Sequence, residues 1–301
     1  MSKEQLAVLE DMLRNGPLDI AGDLAQQREL FEAMLAAIPL PGDVTTKATE
    51  LGGVPVVISE TPGIDSGKVV FYLHGGAYVL GSATAALGLA SDVARRAGAR
   101  GVVVDYRLAP EHPFPAAVDD TVAVYKALLD DGVPASKIAF VGESAGGGLT
   151  IATLVALKQA GLPQPASAVV FSPWADLSLT GQSLTGKADV DPSLTAEGLR
   201  LRAGDYLNGA DPHSVLASPI YADLTGLPPL HIQVGSHEVL LDDSLRLAAR
   251  AAAHDVPVEL QVWPYMPHIF QAFSALLDEA GEALQASAAF TTRHWADETQ
   301  P

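Results

Sequence analysis

Short apolar runs alternate with helical stretches along most of this 301-residue chain. The runs are continuously apolar, which is typical of strands buried on both faces of a parallel sheet. The stretches between them carry apolar residues at helical spacing. The sequence therefore predicts an α/β protein with a mostly parallel central sheet and helices on both faces. Strands are expected at residues 54–59, 68–73, 101–106, 137–142, 168–172, 230–235 and 258–263.

The predicted helices suggest how the chain is organised. Two come before the first strand and end at the L-P-G of residues 40–42, because proline cannot continue a helix. A segment over about 177–227 has no strong strand, and long insertions of this kind usually have a function. We therefore predict N-terminal cap helices over 1–45 and a core over 46–301 with a cap insertion at 177–227. Helices are expected at residues 3–14, 18–37, 117–129, 147–159, 195–207, 240–253 and 269–290.

Charge and composition exclude several classes of protein. The formal net charge of −18 argues against a nucleic-acid or anionic-membrane partner. It indicates either a repulsive, soluble surface or adaptation to salt. Without cysteine there is no disulfide, thiolate metal site or cysteine nucleophile. We see no signal-peptide core and no apolar run of about 20 residues, so a cytoplasmic protein without stable membrane association is expected.

The motif G-E-S-A-G at residues 142–146 follows a predicted strand and precedes a predicted helix. In that context the turn is so tight that its neighbours must lack bulk, and it lifts the hydroxyl of Ser144 to the carboxyl edge of the sheet. The N–H of Ala145 and the positive end of the helix then face a developing oxyanion. A glycine-rich structural turn is the simpler alternative. The context favours Ser144 as a nucleophile.

A second motif, H-G-G-A, follows the strand at 68–73. Its glycines let backbone N–H groups approach a ligand closely, and such a loop completes an oxyanion hole in serine hydrolases. We predict that Gly75, Gly76 and Ala77 form this hole with Ala145. Ala77 stands where a third glycine is usual, and we expect the hole to survive if its φ stays negative. His74 is expected to brace the loop.

These motifs, in this order, resemble those of the bacterial hormone-sensitive-lipase-like (family IV) esterases of the α/β-hydrolase superfamily. The resemblance implies about eight strands, a cap built from the N-terminal helices and the insertion, and hydrolysis of small acyl esters without cofactor or metal. Trp174 is expected either to line the acyl pocket or to pack beneath the cap. The resemblance rests on the motifs H-G-G-A-Y at 74–78, D-Y-R-L-A-P-E-H-P-F-P-A-A at 105–117, G-E-S-A-G-G at 142–147, S-P-W-A-D-L at 172–177 and M-P-H-I-F at 266–270.

Three charged residues of the second of these motifs are expected to serve structure. Asp105, Arg107 and Glu111 lie within seven residues of one another, directly after a predicted strand. Charges so close together favour a buried network of ion pairs and hydrogen bonds. We predict that this network braces the oxyanion loop.

The catalytic base must follow the acid, since the chain order in this fold is Ser, then Asp or Glu, then His. Three histidines qualify. His254 ends a predicted helix, where it serves as a cap, and His294 lies past the terminal helix. His268 lies in the loop after the strand at 258–263, at the carboxyl edge where catalytic groups converge. We therefore predict His268 as the base.

The acid is expected in the loop after the strand at 230–235. Glu238 comes three residues past that strand, at the same edge as the nucleophile. Asp242 and Asp243 come a turn later, where carboxylates satisfy the free N–H groups of a helix start. Alignment with the D-x-L-x-D of the similar family places its aspartates on Glu238 and Asp242. We predict Glu238, with Asp242 as the main rival and His237 as a bystander.

The predicted activity is that of a serine carboxylesterase acting on short- to medium-chain acyl esters through an acyl-enzyme. A lactone hydrolase with the same machinery is the first alternative. A non-catalytic small-molecule binder is the second, since fold does not fix function. The expected partner is a small ester or lactone, and the resemblance adds a homodimer as one expected assembly.

Overall fold

The central sheet has eight strands in a computed structural model that describes residues 2–64 and 67–295. Its order is β1-β2-β4-β3-β5-β6-β7-β8. The first two strands are antiparallel to their neighbours, and the others are parallel. This sheet confirms the predicted fold class. The strands are β1 Thr45–Leu51, β2 Val54–Glu60, β3 Val69–Leu73, β4 Arg100–Val104, β5 Ile138–Glu143, β6 Ser167–Phe171, β7 Leu230–Gly235 and β8 Val258–Trp263.

Most helices follow the predicted periodicity, but two of them, Leu87–Arg96 and Ser183–Gly186, were not predicted, and one predicted helix is divided. The helix expected over 269–290 is two elements: a 3₁₀ turn, Phe270–Phe273, and a helix that begins at Asp278. Within the described ranges, no helix has both the length and the apolar character needed to cross a membrane. The helices are α1 Lys3–Asn15, α2 Leu24–Ala36, α3 Leu87–Arg96, α4 Ala116–Asp130, α5 Ala145–Gln159, α6 Ser183–Gly186, α7 Ala196–Leu207, α8 Leu241–Ala253 and α9 Asp278–His294.

Both faces of the sheet are buried, which explains why its strands are continuously apolar. On β5, Ile138 and Phe140 pack into one cluster with residues of α4, α5 and α8. The alternate residues Ala139 and Val141 pack into a second cluster with residues of α3 and α9. Successive side chains of a strand point to opposite faces, so a strand in the middle layer must be apolar at every position.

The N-terminal helices and the insertion are joined to each other by a buried arginine. Arg202 of α7 donates from Nε to the carbonyl of Ile20 (2.7 Å) and from a terminal nitrogen to that of Gly22. It also pairs with Asp205. The division into cap and core stays a prediction, and its ends at residue 1 and residues 296–301 lie outside the described residues.

Candidate active site

The turn between β5 and α5 presents Ser144 in a strained conformation. Its φ is 52° and its ψ is −122°, values that non-glycine residues rarely adopt. A Cβ on Gly142 would lie 2.3 Å from the carbonyl oxygen of Gly146, and one on Gly146 would lie 2.1 Å from that of Leu73. Both positions therefore require glycine, as the tight turn predicts, and the serine is held at the carboxyl edge of the sheet.

The structure brings Ser144, His268 and Glu238 into one chain of hydrogen bonds. His268 Nε2 lies 3.0 Å from Ser144 Oγ, and His268 Nδ1 lies 2.8 Å from Glu238 Oε2. Since Glu238 is an acceptor only, Nδ1 carries the proton and Nε2 is free to accept from the serine hydroxyl. This is the arrangement in which a histidine removes the proton of a nucleophilic serine.

Glu238 is completely buried, with no exposed surface. Its second oxygen, Oε1, accepts from Ser172 Oγ (2.7 Å) and from the N–H of Gly235 (2.5 Å). These two donors hold the carboxylate in place and stabilise its charge. Ser172 was not predicted, although its position directly after β6, at the same edge as Ser144, is a usable signal.

The pKa of His268 is raised above its ordinary value. Burial acts to lower it, but the hydrogen bond that His268 donates to Glu238 and then the charge of Glu238 outweigh burial, and the charges of Asp191 and Glu143 add to the rise. The negative surroundings thus favour the imidazolium, the form that arises when histidine accepts a proton from serine. Activity that depends on neutral His268 should therefore decline as the pH falls through a raised pKa.

The rival carboxylates make other contacts. Asp242 accepts from the N–H of Ser183 at 3.0 Å. Asp243 accepts from the N–H groups of Ala175 (2.8 Å) and Asp176 (2.9 Å). In the described structure neither carboxylate is hydrogen-bonded to His268. Both instead connect α8 to the segment that follows β6.

The histidines that were considered besides His268 also make other contacts. His237 has Nδ1 3.7 Å from a carboxylate oxygen of Glu10 and packs edge-on against Tyr265. His254 and His294 each place Nδ1 within 2.9 Å of a backbone carbonyl one turn earlier. These contacts tie His254 and His294 to helix ends.

Three backbone N–H groups near Ser144 are free to receive an oxyanion. Among the described residues, none accepts a hydrogen bond from the N–H of Gly76, Ala77 or Ala145. The N–H of Gly75 differs, because it interacts with the carboxyl of Glu143, whose pKa it lowers against the larger, opposite effect of burial. The assignment of all four N–H groups to an oxyanion hole stays a prediction.

The condition placed on Ala77 was wrong, because its φ is +52°. Rotation about its N–Cα bond leaves its own N–H where the preceding peptide plane puts it. The positive φ costs about 1–2 kcal/mol for a residue with a Cβ. It does not remove the donor.

His74 is enclosed beneath this loop. Its ring stacks on Tyr106 with centroids 4.3 Å apart, and its Nδ1 lies 2.7 Å from the carbonyl oxygen of Gly75. Burial lowers the pKa of His74, so the ring is neutral and donates Nδ1–H to that carbonyl. The histidine thereby braces the loop, as predicted.

The predicted network of Asp105, Arg107 and Glu111 does not exist as one unit. Arg107 pairs with Asp120 at 2.7 Å, and Glu111 pairs with Arg28 at 2.7 Å. Asp105 accepts from a backbone N–H in the loop after β3. Each charged side chain instead pairs with a group on another part of the chain. The spacing of residues within one motif does not reveal such partners.

A cavity of about 120 Å³ opens beside Ser144 and His268. Its walls are mainly apolar and come from α2, α3, the insertion and the 3₁₀ turn after His268. Trp174 is not among the lining residues; it is fully buried and packs on Tyr78 with ring centroids 6.2 Å apart. Of its two predicted roles, packing is favoured. The apolar lining includes Leu13, Leu18, Ile20, Phe31, Met34, Leu35, Ile38, Leu80, Leu89, Leu194, Leu199, Ile269 and Phe273.

Comparisons with known proteins define the class. Residues 70–272 match a family described by its alpha/beta hydrolase fold. An acetyl-hydrolase of Streptomyces hygroscopicus is 42% identical over 299 residues, which cover 96% of this chain and 97% of the relative. An esterase of Acinetobacter venetianus is 40% identical over 226 residues, 75% of each chain.

A solved structure makes the assignment more specific. The crystal structure of an esterase from the bacterial hormone-sensitive lipase family is 44% identical and superposes with a TM-score of 0.95. The match covers 98% of this chain and 100% of that one. The chain belongs to the bacterial hormone-sensitive-lipase family of esterases, within the alpha/beta hydrolases.

Proposed function

We propose that this protein is a serine carboxylesterase that hydrolyses short- to medium-chain acyl esters through an acyl-enzyme. One observation carries the proposal: the hydrogen-bonded chain Ser144–His268–Glu238 opens onto a small apolar cavity. Relatives called acetyl-hydrolase and esterase support the same conclusion. The expected partner is therefore a small, uncharged ester.

In the acylation step, Ser144 Oγ attacks the ester carbonyl while His268 Nε2 accepts the hydroxyl proton. Glu238 keeps the imidazole in the tautomer that can accept this proton and stabilises the imidazolium that results. His268 then donates the proton to the departing alcohol oxygen. The products of this step are the free alcohol and an ester of Ser144.

The negative charge on the substrate oxygen would be received by the N–H groups of Gly76, Ala77 and Ala145. Ala145 is the first residue of α5, so the helix dipole adds to its N–H. Loss of one such donor typically lowers kcat by about 10²–10³. Three free donors on a rigid loop and a helix start suit this role.

Deacylation repeats the steps with water as the nucleophile. His268 removes a proton from water, the hydroxide attacks the acyl carbonyl, and the proton returns to Ser144 Oγ as the acid leaves. All proton transfers use His268, and the steps use only side chains, backbone and water. The apolar walls favour an uncharged acyl chain because a charged one would lose its hydration there.

The test is a panel of p-nitrophenyl esters from acetate to decanoate, together with several lactones. We expect turnover of the shorter esters and its loss, by at least about 10³-fold, in Ser144→Ala. Ser214→Ala, which changes a serine outside the cavity lining, should retain activity. Ligand binding without turnover would contradict the proposal in favour of a binder, and faster hydrolysis of lactones than of any ester would favour a lactone hydrolase.

A further inference from the structure

A buried carboxylate of the insertion contacts the loop that carries the proposed acid. We call residues 236–240, between β7 and α8, the acid loop. Asp191 lies on the insertion before α7, and its side chain is buried. Its Oδ2 accepts from the N–H of Val239 at 2.8 Å. Val239 directly follows Glu238, so a charge-assisted hydrogen bond holds the residue beside the proposed acid.

The insertion holds both backbone groups of Val239. The N–H of Val239 donates to Asp191, and its carbonyl oxygen accepts from Ser183 Oγ at 2.7 Å. Since the peptide bond is planar, a fixed N–H on Val239 also fixes the plane that it shares with the carbonyl of Glu238. Glu238 in turn places Oε2 2.8 Å from His268 Nδ1. Movement of this peptide plane would therefore move the carboxylate relative to the imidazole.

The other oxygen of Asp191 holds the insertion itself. Oδ1 accepts from the N–H groups of Ser193 (2.8 Å) and Leu194 (2.9 Å), and both of these residues line the cavity. One oxygen thus holds the cavity wall, and the other holds the acid loop. An asparagine can keep only one of these contacts, because its amide nitrogen is a donor and cannot accept from an N–H. Its oxygen should stay with the two N–H groups of the wall, which leaves Val239 without an acceptor.

The charge of Asp191 also acts on His268. It is among the causes that raise the pKa of His268, together with the charges of Glu238 and Glu143. Within the part of the chain that the structure describes, no lysine or arginine forms an ion pair with Asp191. Because Asp191 is buried, water screens its charge less than it screens a surface charge. Removal of this charge should make the imidazolium less stable.

Two further titratable groups lie close to the same contact. His237, on the acid loop, has Nδ1 3.7 Å from a carboxylate oxygen of Glu10. Asp242, at the start of α8, accepts from the N–H of Ser183. A substitution at Asp191 alters neither group, so a comparison of variants isolates the effect of Asp191 on the pH profile.

We infer that Asp191 is a positioning residue of the proposed triad, which fixes the acid loop through Val239 and stabilises the imidazolium of His268 by its charge. The inference rests on the proposed function and extends the machinery of the reaction from the core into the insertion. Asp191 is absent from the described residues that line the cavity. It therefore acts on the reaction through Glu238 and His268, without contact to the ester.

Asp191→Asn tests the inference with p-nitrophenyl butyrate as substrate. kcat/KM is measured from about pH 5 to pH 9, at the wavelength where p-nitrophenol and its anion absorb equally. The acid limb, where His268 becomes protonated, should move to lower pH by about 0.5–1, because the imidazolium loses a stabilising charge. On the plateau, kcat should fall about tenfold, while KM stays within about threefold because the cavity wall keeps its acceptor.

Two control variants separate charge from position. Asp189→Asn removes an exposed charge two residues earlier on the insertion and should match the wild type in kcat and in its acid limb, because solvent and salt screen that charge. Ser183→Ala removes the hydrogen bond to the carbonyl of Val239 without a change in charge. It should lower kcat by about threefold and leave the acid limb where it is.

A second substitution at the same position guards against a variant that does not fold. Asp191→Ser keeps a short oxygen acceptor for the N–H groups of Ser193 and Leu194 and has no charge. Its acid limb should move in the same direction as that of Asp191→Asn. Circular dichroism and urea unfolding check that each variant is folded under the conditions of the assay.

The outcomes separate the inference from the function on which it rests. If the wild type hydrolyses the ester and Asp191→Asn has the same acid limb as Asp189→Asn, the inference fails alone. A lower kcat with an unmoved limb is the pattern expected of Ser183→Ala and would show a purely structural contact. If the wild type does not hydrolyse the ester, or Ser144→Ala hydrolyses it equally well, the proposed function fails and the inference fails with it. A lower kcat together with an acid limb moved to lower pH supports both.

Discussion

Both oxygens of Glu238 are occupied, one by His268 and the other by Ser172 and the N–H of Gly235. Three donors hold this buried carboxylate in one orientation. Glutamate is one methylene longer than the aspartate common in this family. Here the longer side chain still places its Oε2 atom 2.8 Å from His268 Nδ1.

Glu238→Gln should lower kcat by about 10³–10⁴ while the protein stays folded. The amide still fills the site, but it no longer stabilises the imidazolium and allows the wrong tautomer of His268. The acid limb of the pH–rate profile should also move to lower pH, since Glu238 raises the pKa of His268. Steady-state kinetics from pH 5 to 9 measure both effects.

Asp242→Asn is the matched control, because it makes the same chemical change one helical turn away. Its oxygen can still accept from the N–H of Ser183, so kcat should stay within about twofold of the wild type. A loss of turnover in Asp242→Asn together with a nearly normal Glu238→Gln would show that the acid has been assigned wrongly.

Asp243 predicts an unusual dependence of stability on pH. Burial, followed by the charge of Asp176, raises its pKa from 3.8 to about 7. Between these values the folded state binds a proton that the unfolded state has released, so stability should fall as the pH rises from about 4 to 7. In Asp243→Asn this contribution should vanish, while an acceptor for the N–H groups of Ala175 and Asp176 remains. Urea unfolding at pH 5 and pH 8 measures the difference.

The sign of the change in the free energy of unfolding tests the raised pKa of Asp243. The wild type should lose more free energy of unfolding than Asp243→Asn between pH 5 and 8, by about 1–3 kcal/mol. Asp242→Asn should follow the wild type. Equal pH slopes for wild type and Asp243→Asn would contradict a raised pKa for Asp243.

At the scale of single residues, the position of a residue relative to the predicted strands identified the proposed triad better than its residue type did. Ser144, Glu238 and His268 each follow a strand, and the carboxyl ends of parallel strands share one edge. The sequence carried no comparable signal for Asp191, because its partner Val239 lies on an element distant in the chain. The positive φ of Ala77 could not be predicted either, because it depends on how the loop packs.

At the scale of elements, the pattern failed where burial is low or where a helix breaks without proline. β1, Thr45–Leu51, was not predicted because its side chains are mostly exposed; it is an edge strand and needs no apolar run. The helix expected over 269–290 breaks before Asp278, where Asp278 and Glu279 begin a new first turn. Apolar spacing continues across this break, so periodicity alone does not reveal it.

Arg202 supplies hydrogen bonds to the contact between α7 and the N-terminal segment. Its side chain is buried and satisfies the carbonyls of Ile20 and Gly22. Arg202→Met leaves both carbonyls unpaired and should lower the free energy of unfolding by about 2–3 kcal/mol. Because Ile20 lines the cavity, KM should rise as well. Urea unfolding and steady-state kinetics measure the two effects.

Arg200→Met is the control for that substitution. Arg200 is exposed on the same helix, and surface substitutions usually change stability by no more than about 0.5 kcal/mol. If the two variants are equally stable, Arg202 does not hold the two segments together.

At the scale of the whole molecule, the chain has 36 acidic residues and 18 basic ones. Such an excess repels itself in the compact state, and salt screens the repulsion with a Debye length of about 8 Å at 0.15 M. Raising NaCl from about 10 mM to 150 mM at neutral pH should raise Tm by about 2–4 °C.

Scanning calorimetry at several salt concentrations provides the measurement. The increase should shrink at pH 5, where part of the carboxylates take up protons and the excess charge falls. A Tm that is independent of salt at neutral pH would mean that the acidic surface is balanced locally by ion pairs, such as Arg95–Asp43.

The sheet and the meeting of Ser144, Glu238 and His268 at its edge were predictable because both follow from local patterns: apolar runs, a tight glycine turn and residues just past strand ends. The cavity was not. Its wall combines α2, the 177–227 insertion and the 3₁₀ turn Phe270–Phe273. Their meeting depends on tertiary contacts such as those of Arg202, which no motif records.

The wall of the cavity draws heavily on chain that the eight-stranded sheet does not contain. Residues 13–38 and 193–199 supply much of its lining, while Ser144, Glu238 and His268 are anchored beside strands of the core. Variants at the cavity-facing positions of these two stretches would therefore change the range of accepted esters while the proposed triad stays as it is. For protein engineering, the residues that shape the cavity can thus be varied separately from the proposed reaction centre.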